Sequence, residues 1–190
     1  MPLEIFFSFQ GIFCYNIYMA VIKSKKFILR PFKRGDEASL LKNINNRKIA
    51  KNTLAILYPY KPKYARSWIK HSLELNRKKN KEKINFAIDV NGEVIGGIGF
   101  KNIKGHRAEI GYWLGEKYWG QGITTSALKK ITEYGFNKLK LRRMEIGIFP
   151  FNKASMRVAE KAGYQYEGRL RKFVLKDKKL VDSLLFAKVR

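Results

Sequence analysis

The chain has 190 residues, 45% hydrophobic and 14% aromatic, enough to bury a core, which argues against global disorder and for a single domain. Lys and Arg number 40 against 15 Asp and Glu; the net charge of +25 attracts polyanions such as RNA and steers polyphosphate ligands, unless it is only a solvated surface. One cysteine, Cys14, and two histidines, His71 and His106, exclude an intrachain disulfide and a Cys/His zinc cluster, which fits metal-free chemistry in a reducing, cytoplasmic setting.

Residues 1–22 stand apart. The stretch 3–22 is largely apolar and aromatic, broken by Glu4, Gln10 and Asn16, and no basic residue precedes it as a secretory signal would require. A membrane span takes about 20 predominantly apolar residues, so a marginal span or surface anchor stays open if this segment is translated. Met19-Ala-Val-Ile-Lys reads as a natural start that leads straight into the first strand. The preferred division is therefore an N-terminal extension over 1–22, with translation beginning at Met19, and one domain over 23–190.

Residues 26–32 read as a strand, and Gly35-Asp36 opens a helix over 37–45 with Asp36 as N-cap. The stretch 51–61 is irregular and aromatic. Pro62 then suits a first helical position, and Ala65, Trp68, Ile69, Ser72 and Leu73 keep helical spacing to Arg77. The charged run 77–83 reads as a solvated connector. Strands over 84–90 and 93–100 flank Asn91-Gly92, a hairpin turn, while Gly96, Gly97 and Gly99 predict a bulge or a close backbone approach. A third strand, 107–114, completes a meander. After it come a helix from 124 or 125 to 138, a strand over 144–149, and a short helix from Asn152 that closes at Gly163. Strands over 164–175 and 180–188 turn at 176–179. The order predicts an α+β domain: a single mixed, mostly antiparallel sheet of about seven strands flanked by about four helices.

Ahead of the 124–138 helix, Tyr118-Trp-Gly-Gln-Gly-Ile-Thr-Thr places Gly120 and Gly122 two apart. Glycines there let backbone N–H groups converge in front of a helix start, where a phosphate or pyrophosphate is the natural guest. A plain tight turn has the same pattern, and neither the dinucleotide fingerprint nor the P-loop spacing is present.

Taken together, Glu109-Ile-Gly-Tyr-Trp-Leu114, Trp119-Gly-Gln-Gly122, Asn152-x-x-Ser155, Gly163 and Glu167-Gly168 resemble the GNAT superfamily of acetyl-CoA-dependent N-acetyltransferases. Within it they are most similar to the RimJ/RimL-type branch, which acetylates ribosomal-protein N-termini. The resemblance covers the chain from about Lys26 to its C-terminus. It implies the GNAT fold with a splayed cofactor cleft, acetyl-CoA as co-substrate and no metal. Pantetheine would lie against the 109–114 strand with Trp113 and Leu114 nearest, and the pyrophosphate on the amides of Trp119, Gly120, Gln121, Gly122, Ile123 and Thr124. Lys117 stands where the family carries Gln or Arg, and supplies a cation without the planar fork of Arg. By the same resemblance Asn152 contacts pantetheine and Ser155 is the general acid that returns a proton to the coenzyme A thiolate. From the residues alone, Asn152 is equally an N-cap and Ser155 a surface helix residue. Many GNAT enzymes use a tyrosine seven residues after this Asn; Ala159 stands there, which favours Ser155.

By the same resemblance Glu109, on the strand position that carries a catalytic Glu in some GNAT relatives, is the candidate general base, with a structural pairing to Arg107 or Arg143 as its alternative. The Glu that RimL-like enzymes carry seven residues after the Glu-Gly pair is Val174 here, so that role is moved or missing; Glu167 reads as structural, and Gln121 and Tyr164 as scaffold. Deprotonating an α-amine of pKa about 8 costs ~1.4 kcal/mol at pH 7, against ~4.6 for lysine, so a protein N-terminus asks least of the enzyme. A small amine (polyamine, amino acid or antibiotic) is the alternative acceptor, with a polyamine disfavoured by the +25 charge. A non-catalytic RNA- or ribosome-associated module is a third reading, without an RRM, KH or zinc-knuckle signature to support it. Residues that recognise the acceptor are expected within 42–83 and 173–180.

Overall fold

The computed structural model describes residues 21–77 and 82–190, so the extension through residue 20 and part of the charged connector lie outside the described residues. The elements follow in the order β1 (Ile22–Lys23), β2 (Ile28–Pro31), α1 (Glu37–Ile44), α2 (Arg47–Asn52), α3 (Pro62–Arg77), β3 (Ile84–Val90), β4 (Glu93–Lys104) and β5 (Arg107–Leu114). A 3-10 turn at Glu116–Tyr118 leads to α4 (Ile123–Asn137), β6 (Arg143–Ile148), α5 (Lys153–Lys161), β7 (Gln165–Lys176) and β8 (Lys179–Val189). The strands form one sheet in the order β1-β2-β3-β4-β5-β6-β8-β7. Every neighbouring pair is antiparallel except β5 and β6. The α+β class and mixed sheet agree with the sequence, and the described elements add one strand and one helix to it. Two-residue β1 pairs Ile22 with Leu29 and Lys23 with Ile28, too short to show a period. Six-residue α2 is stabilised by the Asn46 side chain, which accepts from the Lys48 and Ile49 amides.

Two of the hairpin turns follow from local chemistry in the same way. Asn91 and Gly92 have φ of 52° and 85°, and Asp177 and Lys178 have 49° and 62°, the left-handed pair that matches strand twist. In the β3–β4 ladder Ile88 faces Gly96 and Asp89 faces Val94, which leaves Ile95 as a bulge. Close backbone approach occurs as well: a Cβ on Gly96 would stand 2.7 Å from the Trp113 carbonyl oxygen, and one on Gly97 2.6 Å from the Trp113 indole nitrogen. Gly97 thus makes room for the Trp113 ring over the sheet.

The sheet is covered on both faces. On one, Ile98, Phe100 and Ile110 pack with Ile123, Leu128 and Ile131 of α4. On the other, Phe32, Ala87 and Val94 pack with Leu40 of α1 and Ala65 and Ile69 of α3. Each such Leu, Ile or Phe contributes about 1.5–3 kcal/mol on burial. Asp36, predicted as an N-cap, makes no cap hydrogen bond. Its carboxylate accepts from both terminal Arg30 nitrogens at 2.8 Å and from the Lys33 amide at 2.8 Å, because a charged fork outcompetes helix amides. Asp89 takes the Arg30 Nε at 2.8 Å. Burial opposes the guanidinium charge, yet the two carboxylates raise the Arg30 pKa above its ordinary value. Among the described residues no helix is long and apolar enough to cross a membrane.

Candidate functional site

β5 and β6 pair only where Arg107–Glu109 face Arg143–Glu145. Beyond that point Ile110–Leu114 stay paired to β4 and Ile146–Ile148 to β8, and among the described residues no ladder joins the two stretches. Two interior strands therefore present their inner edges to a wedge-shaped gap. Backbone N–H and C=O groups are obligatory hydrogen-bonding groups, so this gap accommodates an extended ligand carrying amides of its own.

The glycine turn closes the wide end of the wedge. Gly120 and Gly122 have φ of 76° and 75°, and a Cβ at either would meet nothing within 4 Å. The turn is open in front. Gly122 is itself the N-cap of α4, with no side chain capping it, so the helix starts one residue ahead of the sequence expectation. The first helical bond runs from the Ser126 amide to the Gly122 carbonyl at 3.0 Å, which leaves the amides of Ile123, Thr124 and Thr125 for an anion. Trp119 is 41% exposed, and its indole N–H donates to the Leu114 carbonyl at 2.7 Å, pinning the turn to the end of β5. Gln121 folds back and donates to the Lys117 carbonyl at 3.0 Å.

Two lysines stand beside this turn. The Lys117 ammonium lies 3.4 Å from a Glu93 oxygen and 4.6 Å from the centre of the Tyr118 ring. Lys26, from the segment between β1 and β2, brings its ammonium to 3.4 Å from the Gln121 carbonyl. No sequence signal marks a contact between residues 95 apart.

On α5, Asn152 is the N-cap and accepts from the Ser155 amide at 3.1 Å. Ser155 is partly exposed, and its Oγ lies 2.7 Å from the Tyr112 Oη, a contact that reaches from β5 to α5 at the edge of the gap. Sequence reasoning quoted Tyr112 only within a motif; its phase with Ala108, Ile110 and Leu114 was the available signal. Burial pushes the Tyr112 phenol up to about 12, against the Ser155 hydrogen bond, which lowers it. Tyr164 bonds Thr132 at 2.8 Å within the core, as a scaffold residue would.

Glu109 sits at the last paired position of the wedge. Strand alternation sets it on the face of Trp113, toward α1 and α3, opposite the face of Tyr112 and Ser155. The two candidate catalytic groups are thus associated with opposite faces of the sheet. The Glu109 salt bridge is to Lys101, directly across β4, at 2.8 Å, and Asn102 donates to it at 2.7 Å. Burial raises its pKa, but the Lys101 and Asn102 contacts outweigh that and hold it below the usual carboxylate range. Arg143 pairs instead with Glu145 at 2.5 Å and, through both terminal nitrogens, with Glu167 at 2.9 and 2.5 Å. Among the described residues no cluster of three His, Cys, Asp or Glu could hold a metal ion.

A bridge spans the ends of the parted strands. At the start of α2, Asn46 donates to Glu116 at 2.6 Å, and Lys48 also pairs with Glu116, just past β5. At its end, the Lys176 ammonium from the β7–β8 turn donates to the Ala50 and Thr53 carbonyls at 3.0 and 2.7 Å. Lys51 lies over Phe151, which stacks on Phe149 just past β6.

Residues 26–165 match the family described as acetyltransferase (GNAT) domain. The uncharacterized N-acetyltransferase p20 of Bacillus licheniformis is 34% identical over 125 residues, 65% of this chain and 70% of that protein. The ribosomal-protein-serine acetyltransferase of Escherichia coli K12 is 35% identical over 106 residues, 55% of this chain and 59% of that enzyme, less than two thirds of its length. Among solved structures, Mycobacterium smegmatis RimJ in complex with CoA-disulfide superposes with a TM-score of 0.75 at 26% identity, over 86% of this chain and 81% of that one. With the family match covering most of a chain whose sheet parts ahead of a glycine turn, the protein belongs to the GNAT acetyltransferase family.

Proposed function

We propose that this acyltransferase moves the acetyl group of acetyl-CoA directly onto a primary amine, and that the amine is the N-terminal α-amine of a protein, ribosomal proteins being the first candidates. The observation that carries the reading is the uncapped start of α4 at the mouth of a gap between two unpaired strand edges. The amides of Gly120 to Thr124, with Lys26, hold the diphosphate, the Trp119 amide being spent on the Glu116 carbonyl at 3.0 Å; Lys117 adds long-range positive charge. The inner edge of β5 up to Trp113 and Leu114 aligns the amide-bearing arm, with Asn152 on the far side. Acetyl-CoA supplies an activated acyl carbon and a thiolate leaving group.

Glu109 takes the amine proton, through a water, as nitrogen bonds to the acyl carbon. Ser155 gives its hydroxyl proton to the sulfur as the C–S bond breaks. Because Lys101 and Asn102 keep Glu109 ionised, the base form is present at neutral pH, but such a base is weak. It suits an α-amine, which needs ~1.4 kcal/mol to deprotonate at pH 7, better than a lysine at ~4.6. The similarity to a ribosomal-protein-serine acetyltransferase supports the same acceptor class.

The test is mass spectrometry of a cell extract after incubation with the purified protein and acetyl-CoA. New acetyl groups on protein N-termini are expected; label confined to small amines or to lysine side chains overturns the acceptor assignment. Glu109→Gln should lower kcat by about 10²–10⁴-fold with acetyl-CoA affinity unchanged, and undiminished turnover would move the base elsewhere.

A further inference from the structure

We infer that Tyr112 is a positioning residue: its hydroxyl donates to the Ser155 Oγ and thereby leaves the Ser155 proton aimed away from it, toward the departing sulfur. The inference rests on Ser155 acting as the acid in the reaction proposed above, and adds a residue to which sequence gave no role.

The argument is one of donors and acceptors. A serine hydroxyl offers one hydrogen and two lone pairs, and a phenol likewise has a single hydrogen. The Tyr112 Oη has two candidate acceptors, both on Ser155: the Oγ at 2.7 Å and the main-chain carbonyl at 3.4 Å. Only the shorter contact falls within the usual O–H···O range, so the phenol hydrogen is spent on the Oγ. Were the serine hydrogen to point at Tyr112 instead, the phenol would be left with the long contact alone. The Tyr164 phenol, whose charge Tyr112 influences, is tied to Thr132 at 2.8 Å. The Ser155 amide is held at 3.1 Å by the Asn152 side chain. Backbone and hydroxyl of Ser155 are thus fixed by two different elements, and the free direction of its hydrogen is set.

The proton count closes without Tyr112 ionising. The α-ammonium loses two protons by way of Glu109 and water, one before attack and one as the C–N bond forms; the sulfur gains one from Ser155, so one is released to solvent overall. Tyr112 keeps its own proton, and its hydrogen bond steadies the charge left on the Oγ until solvent re-protonates the serine. Burial keeps the phenol protonated across the working range, with a pKa of about 12.

Tyr112→Phe removes one oxygen from a half-buried ring and preserves its packing. It should lower kcat about 10- to 100-fold with the KM for acetyl-CoA within about twofold, the effect of deleting one hydrogen bond that matters in the transition state. Ser155→Ala should lower kcat at least as far, and the Tyr112→Phe/Ser155→Ala double variant no further, because a residue that acts through another adds nothing once that other is gone. A second variant keeps the hydroxyl: difluorotyrosine at position 112 brings phenol ionisation into the assay range and should add an alkaline limb to kcat, since a phenolate cannot donate. Wild-type kcat in Tyr112→Phe, additive losses in the double variant, or no alkaline limb with difluorotyrosine each overturn the role of Tyr112 while leaving Ser155 standing. If Ser155→Ala itself turns over normally, the acid assignment falls, and this inference with it.

Discussion

The two halves of the β5–β6 pair make opposite use of the same strands. In the closed half, three residue pairs join the strands, and Lys101–Glu109 and Arg143–Glu145–Glu167 salt bridges lie along it. In the open half no backbone ladder crosses among the described residues, and Tyr112 reaches across through its side chain to Ser155 of α5. A sheet interior normally satisfies its backbone on both edges. Leaving one edge free concentrates stability at the base of the wedge and binding capacity at its mouth. Changes at the mouth should therefore alter ligand affinity, and changes at the base should alter stability.

The sharpest way to break that division is Gly122→Val. A branched side chain at φ 75° is strained whatever the space around it. Acetyl-CoA affinity by calorimetry should fall at least about 100-fold as the helix start shifts, with the circular dichroism spectrum retained. Normal affinity would refute the anion cradle. Next in size is Arg143→Ala, at the base. It abandons a bidentate pair and a third contact in a partly exposed network, which should lower unfolding stability by about 1 kcal/mol in urea titration, less at high salt, with kcat retained. A large loss of kcat would mean the two halves are coupled.

Lys101→Ala is the subtlest. The ammonium is a main reason that the Glu109 pKa lies below its ordinary value. Without it the desolvation contribution, which raises the pKa, is opposed only by Asn102 and Arg107. The carboxylate then protonates at a higher pH, and the acid limb of the kcat profile should move up. An unmoved limb would show that Glu109 does not set it. Stability carries the same sign. A depressed carboxylate pKa contributes stability above its unfolded value and loses it as pH falls through the folded one, so Lys101→Ala should be less acid-sensitive than the parent in that window.

What sequence reveals of this protein depends on range. Asn91-Gly92 and the glycines of the α4 turn were legible because their conformations are properties of single residues. The β4 glycines signalled a bulge or a close backbone approach, and both occur, at Ile95 and where the Trp113 carbonyl nears Gly96. Asp36 misled, since Arg30 captured its carboxylate from six residues away. β1 and α2 are shorter than any period that could announce them. Lys26 reaches the glycine turn, Lys101 reaches Glu109, and Tyr112 reaches Ser155 only through sheet topology. Local chemistry thus announced the cradle, and tertiary structure assembled the charged and hydroxyl groups around it.

Lys176 couples stretches of chain 126 and 123 residues distant in sequence. With its ammonium fastened to two carbonyls at the end of α2, the last hairpin and the second helix form a common rim. Grafting either piece alone from a relative would leave that rim mismatched, so inherited changes of acceptor preference should come as matched pairs of substitutions on both pieces.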